Sequence, residues 1–247
     1  MPAGWKSTSR AIADLLFPPL CAACRAPVGE PGYCAACWSA VTFLDGAGCA
    51  CCGIPFAIDL GADSLCAACM ARKPAYDSAR AVLSYDEASR GAVLALKHAD
   101  RLDLVPGFAR WLARVGRGQL RDSDVVVPVP LHPFRLWRRR YNQSAELARR
   151  LASDFSLEAA PLALARTRAT AGQGAMPSAR ARRKNVQSAF RVARPEQVAG
   201  RRVLLIDDVL TTGATAEACS RALRRAGAAK VHVLALARVV RATDVTI

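Results

Sequence analysis

The stretch Val203-Leu204-Leu205-Ile206-Asp207-Asp208-Val209-Leu210-Thr211-Thr212-Gly213-Ala214-Thr215 decides the fold. Its four leading apolar residues predict a buried parallel strand. Two aspartates follow, where the strand is expected to emerge from the sheet. Thr211 to Thr215 then lead into a helix-like segment, Ala216 to Arg225. Gly213 permits a tight turn whose successive backbone N–H groups can converge on one anion. The N-terminus of the following helix adds partial positive charge, and the threonine hydroxyls add donors. The stretch thus offers a phosphate cradle beside two carboxylates. A sugar phosphate suits both halves, its phosphate in the loop and its vicinal ribose hydroxyls on Asp207 and Asp208. Helix capping would account for one aspartate, but not for a pair followed by TTGAT.

All thirteen positions resemble the phosphoribosyl pyrophosphate (PRPP) signature of type I phosphoribosyltransferases. That resemblance implies a PRPP site made of Asp207, Asp208, Thr211, Thr212, Gly213, Ala214 and Thr215. A strand before this loop and a helix after it belong to an α/β fold. Further strand signals at Ala79–Tyr85, Val125–Pro130, Leu162–Ala165 and Val231–Val240 alternate with helical segments. They predict a mostly parallel sheet with helices on both faces.

Nine of the ten cysteines fall between Cys21 and Cys69, eight of them in four C-x-x-C pairs. A C-x-x-C turn puts two thiolates on one side of a metal, and two such turns complete a tetrahedral site. Pairing in sequence order predicts two structural zinc sites, Cys21, Cys24, Cys34 and Cys37, then Cys49, Cys52, Cys66 and Cys69. Neither leaves an obvious open position for water or substrate. The segments between the pairs are too poor in apolar residues for a core, so the metal is expected to supply folding energy. Disulfides, an iron–sulfur cluster and an interleaved zinc arrangement remain competing readings. Cys51 is either a spare ligand or a bystander. Cys219, in the helix after the phosphate loop, reads as a small buried hydrophobe. A boundary near residue 75 is expected, with the cysteine module in 1–75 and the α/β domain in 76–247.

The chain has 247 residues and a formal net charge of +15, which points to polyanionic partners, namely nucleic acid, polyphosphate or an anionic membrane, or to a solvated arginine surface. No window approaches the apolar length of a membrane span. Asp14 interrupts the short apolar run near the start and Pro18-Pro19 ends it, so that run reads as an amphipathic helix rather than a signal peptide. A cytoplasmic location is the expectation, and there paired cysteines more often bind metal than each other.

The remaining motifs are basic. Arg90–His98 is expected to be a helix carrying Lys97 to its end, where it can reach a phosphate or simply favour the helix C-terminus. His98 has no matching Ser or Cys arrangement. A helix over Leu104–Val115 puts Phe108, Trp111 and Leu112 on its apolar side, as core rather than as a stacking platform. The strand Val125–Pro130 leads into Arg138, Arg139, Arg140, Asn142 and Gln143, at the strand end where open α/β folds bind ligands. These arginines are candidate diphosphate or DNA contacts, and Asn142 a helix cap. Arg166–Met176 is polar and glycine-containing, so a mobile loop is expected there. Beyond it, Arg180, Arg183 and Asn185 lie on a short basic helix that would close over a diphosphate or touch a nucleic-acid backbone.

Taken in order, the four cysteine pairs, LALKH, VVPVPLHPFRLWRRRYNQ, RARRKNVQSAF and VLLIDDVLTTGAT make the chain similar to the ComF family. The resemblance implies a type I phosphoribosyltransferase-like sheet behind a double zinc ribbon, with PRPP bound together with Mg²⁺. It also implies association with DNA uptake in natural transformation, contact with single-stranded DNA, and partners in the DNA-uptake or recombination machinery. Two functions fit. One is a PRPP-binding protein of DNA handling. The other is an active transferase moving ribose 5-phosphate from PRPP to a nucleobase or other amine.

Overall fold

The computed structural model describes residues 18–98, 101–168 and 188–241. The N-terminal amphipathic run and the basic segment holding Arg180, Arg183 and Asn185 lie outside these residues. In chain order the described elements are α1 (Ala35–Ala40), α2 (Ala67–Ala71), β1 (Ser78–Ser84), α3 (Glu87–His98), α4 (Val105–Val115), α5 (Arg117–Arg121) and β2 (Val125–Pro128). Then come α6 (Pro133–Arg139), α7 (Gln143–Asp154), β3 (Glu158–Ala159), β4 (Leu164–Arg166), β5 (Phe190–Val192), β6 (Arg202–Leu210), α8 (Ala214–Arg225) and β7 (Lys230–Arg238).

Five strands form a sheet in the order β1-β7-β6-β2-β3, and every pairing in it is parallel. The strand of the opening stretch, β6, is the middle one, aligned with Val231 through Val203 on one side and with Val125 on the other. Both faces are covered, so the strands read as apolar runs instead of alternating ones. Successive residues of β6 still point to opposite faces. Leu204 and Ile206 share a core with Leu96 of α3, Phe108 and Leu112 of α4, and Leu147 and Leu151 of α7. Val203 and Leu205 share the other core with Ala216, Cys219 and Leu223 of α8, and with Leu164 and Phe190 of the antiparallel β4–β5 pair.

The cysteine module completes that second core. Cys49, Cys52, Ile54 and Cys69 are buried in it together with Ala79, Ala81 and Ala235. The module also closes the outer edge of β1. Ala79 N–H donates to Cys51 O at 2.7 Å, Leu44 N–H to Val82 O at 2.8 Å and Ser84 N–H to Thr42 O at 2.9 Å. An otherwise open strand edge is thereby paired. Cys51 stands outside both metal groups. It is buried in the core, and its carbonyl holds the edge strand. Gly53, at φ +69°, lies so close to β1 that an added Cβ would sit 2.3 Å from Ala79 O. On the first core, Trp111 stacks on Tyr33 with centroids 5.5 Å apart and planes at 2°, so α4 docks the first cysteine turn.

One expectation needs correction. The strand does not end before the aspartates. It runs on to Leu210, and Asp207 and Leu210 keep register with Ala235 and Arg238 of β7. Among the described residues, no helix is long and apolar enough to cross a membrane.

Candidate functional site

The two cysteine groups form in sequence order, as the spacing suggested. Within each, the four Sγ atoms lie within 4.8 Å of one another. Cys24 Sγ is 3.7 Å from Cys34 Sγ, and Cys52 Sγ is 3.7 Å from Cys66 Sγ. Four thiolates placed tetrahedrally at Zn–S distances of about 2.3 Å stand about 3.8 Å apart, so the donor set fits zinc.

The two turns share one plan. Cys21 N–H donates to Ala26 O and Cys49 N–H to Ile54 O. Leu20 bridges Pro27 as Gly48 bridges Pro55. The residue after the second cysteine, Arg25 or Gly53, has positive φ in both. A short helix follows the third cysteine in each, and the N–H groups of Cys34 and Cys66 each reach the first sulfur of their group at 3.3 Å. Such N–H···S contacts orient the thiolates and spread their charge.

At the carboxyl end of the sheet, a cleft of about 390 Å³ is lined by Asp207, Asp208, Thr211 and Gly213, and by Ala214, Thr215 and Ala216 of the first turn of α8. Gly213 takes the left-handed conformation, φ +71°, as the N-cap of α8. The first N–H groups of that helix have no acceptor within it. Groups of this kind at a helix N-terminus can receive an anion. Thr212 lines an adjoining cavity of about 160 Å³ behind the loop, with Cys52, Cys69, Arg72, Tyr76 and Arg238. Arg238 ties this rear side to the second metal turn by donating to Cys52 O at 2.6 Å.

The strand's alternation separates the paired acids. Asp208 points to the α3 and α7 side, where Lys97 Nζ stands 3.2 Å from its Oδ2 and Gln143 Nε2 donates to the same oxygen. Asp207 points to the α8 side, facing Arg166 and Cys219, and its Oδ1 accepts from Asp208 N–H at 2.8 Å. The two residues are only 7% and 9% exposed. Burial, reinforced by the neighbouring Asp208 charge, raises the Asp207 carboxyl to about 7. Lys97 and Arg166 act in the opposite sense.

Four cations line the cleft: Lys97, Arg135, Arg139 and Arg166. Burial lowers Arg135 and Arg166, and their basic neighbours lower them further, Arg139 acting on Arg135 and Arg135 on Arg166. Of the expected arginine run, Arg139 alone lines the cleft, while Arg138 and Arg140 are exposed away from it. Asn142 is occupied inward, capping α7 through Ser144 N–H and donating to Val129 O at 3.0 Å. Gln143 serves Asp208 and lines the cleft. Arg135 and Arg166 were not among the expected site residues. The i, i+4 spacing of Arg135 and Arg139 within a helix opened by Pro133 was the available signal for the first. Arg166 arrives through the β4–β5 pair, whose partners are far apart in sequence.

Comparison with known proteins agrees with this geometry. The double zinc ribbon domain matches residues 12–70, and the phosphoribosyl transferase domain matches residues 142–245. The chain is 35% identical to the DNA utilization protein YhgH of Escherichia coli K12, over 91% of this chain and 99% of that protein. Against the protein of the same name from Salmonella typhi, identity is 36%, again over 91% and 99% of the two chains. Against Competence protein F of Haemophilus influenzae it is 28%, over 89% of this chain and 90% of that one. With two four-cysteine turns, a five-stranded parallel sheet and this full-length similarity, the chain belongs to the ComF family, whose members include DNA utilization protein YhgH and Competence protein F.

Proposed function

We propose that this protein binds PRPP in the cleft at the end of β6 and serves the handling of incoming single-stranded DNA in the cytoplasm. The observation that carries the reading is the joining of the Asp207–Asp208 pair, the Thr211–Thr215 loop and four cations around one cleft. In this reading residues 76–247 form the PRPP-binding part, and residues 1–75 are a zinc-held support for it.

The first turn of α8 and the hydroxyls of Thr211 and Thr215 take the 5′-phosphate. Asp207 and Asp208 take the ribose hydroxyls. Mg²⁺, bound with PRPP, neutralises diphosphate charge. Arg135, Arg139 and Arg166 hold the diphosphate, and an anion among them counters the burial and the mutual repulsion that lower Arg135 and Arg166. Lys97 and Gln143 hold Asp208 in place. The DNA part of the reading rests on the +15 charge and on the names of the relatives, DNA utilization protein and Competence protein F. The cytoplasmic location rests on the use of cysteine pairs as metal ligands.

Among the described residues, Asp207 and Asp208 are the only carboxylates lining the cleft, and in this reading both take the ribose. The test is calorimetric titration of zinc-loaded protein with PRPP and Mg²⁺, followed by a diphosphate-release assay with nucleobases and with single-stranded DNA. Saturable PRPP binding without release supports the reading. Release with a nucleobase would replace it by the transferase reading, and absence of PRPP binding would overturn both.

A further inference from the structure

The short helix α6, Pro133–Arg139, holds no buried residue, yet it carries two of the largest apolar side chains in the chain. Phe134 is 63% exposed and Trp137 is 79% exposed. Their rings are neighbours, with centroids 6.3 Å apart and planes inclined at 31°. Among the described residues neither ring is buried in the fold, so packing there does not account for them.

The helix has two adjoining faces. Arg135 and Arg139, at i and i+4, turn into the PRPP cleft. Phe134, Trp137 and Arg138, at i, i+3 and i+4, share the outer face. Arg140 follows, exposed, as the left-handed residue that ends the helix at φ +65°. The conformation is locally built, since His132 caps the helix by accepting from Phe134 N–H at 3.3 Å and Pro133 opens it. Aromatic faces interleaved with guanidinium groups are the chemistry of single-strand nucleic-acid platforms, where bases stack on the rings and phosphates meet the cations. The ring spacing exceeds the 3.4 Å rise of a stacked strand, so it suits an extended, unstacked one. Charge also selects the occupant. The basic segment around Arg180, Arg182, Arg183 and Lys184 of this same chain carries no acid to complement α6.

Resting on the reading above for the DNA partner, we infer that the outer face of α6 is the single-stranded DNA platform, with Phe134 and Trp137 stacking bases and Arg138 and Arg140 holding phosphates. The platform forms the rim of the PRPP cleft, so a strand lying on it passes the mouth of that site.

The test is fluorescence anisotropy of a labelled oligothymidylate with zinc-loaded full chain, over a series of salt concentrations. The variant Phe134→Ala/Trp137→Ala is expected to bind about 10-fold or more weakly at each salt concentration, with an unchanged salt slope. It should keep PRPP affinity and both zinc ions, because α6 buries nothing and neither ring lines the cleft. The variant Arg138→Ala/Arg140→Ala should lower the slope of log affinity against log salt by about 1.4, the share of two phosphate contacts on a single strand. Wild-type DNA binding with the aromatic variant within twofold of it would overturn the platform and leave the DNA reading standing. Absence of DNA binding by wild type would overturn both. Loss in the aromatic variant of binding to vesicles of phosphatidylethanolamine and phosphatidylglycerol, with DNA binding kept, would assign the rings to a membrane surface and overturn the platform.

Discussion

Asp207→Asn should stabilise the protein while disabling its site. The native fold keeps the Asp207 proton until pH rises to about 7, because the carboxyl is buried beside the Asp208 charge. The unfolded chain releases it near pH 4. Between those values the native state binds more protons than the unfolded state, so stability falls as pH rises from 4 to 7 and levels off above 7. Each tenfold change in proton affinity is worth about 1.4 kcal/mol, and three such steps give about 4 kcal/mol as the full cost of ionised Asp207. Local relaxation and water penetration make buried charges cheaper than a rigid dry site would, so a gain of about 2 kcal/mol is the realistic expectation for asparagine. The asparagine side chain keeps an Oδ1 to accept from Asp208 N–H, so the backbone contact survives. In a chain of this size the gain corresponds to about 4–8 °C in Tm. The assay is denaturant unfolding of wild type and variant at matched zinc between pH 5 and pH 8.5. The variant's advantage should be largest above pH 7 and shrink towards pH 5. An advantage independent of pH, or a less stable variant at pH 8, would refute the reasoning.

Gly53→Ala forces a side chain into positive φ and against Ala79 O, so a loss of about 2 kcal/mol or more is expected by thermal unfolding, with zinc content falling first at the second turn. Arg135→Ala should weaken PRPP binding about 10-fold or more, as loss of a charge-assisted contact, whereas Arg138→Ala should leave it within twofold. Arg202 holds the Asp124 carboxyl down to about 2, and Lys230, with help from His232 and Arg202, does the same for Asp122. Their stabilising effect is present above pH 4 and lost as pH falls from 4 to 2, and it is modest because these groups face solvent. Asp124→Asn should therefore be less stable than wild type at pH 7, with the gap closing below pH 4.

The sheet and the metal turns were legible because their signals are local. Apolar runs of strand length, C-x-x-C spacing and the TTGAT loop each need only adjacent residues. What escaped is what depends on facing and on distant pairing. Charge after an apolar run looks like a strand end. Here the acids take opposite faces, Asp208 held by Lys97 and Gln143 and Asp207 accepting from Asp208 N–H, while the strand keeps its register with β7 through Leu210. The density of the arginine run drew attention to Arg138 to Arg140, yet helix geometry sends Arg135 and Arg139 inward and leaves Arg138 at the surface. Cys51 could not be placed by ligand spacing because its contribution is a backbone carbonyl on β1.

The most direct measurement is calorimetric titration of PRPP with Mg²⁺ into zinc-loaded wild type and into the Asp207→Asn/Asp208→Asn variant. Saturable binding by wild type, weakened at least 10-fold in a variant that retains two zinc ions, is the expected result. Unchanged affinity in the variant, or no PRPP binding by wild type, would contradict the assignment of the β6 cleft.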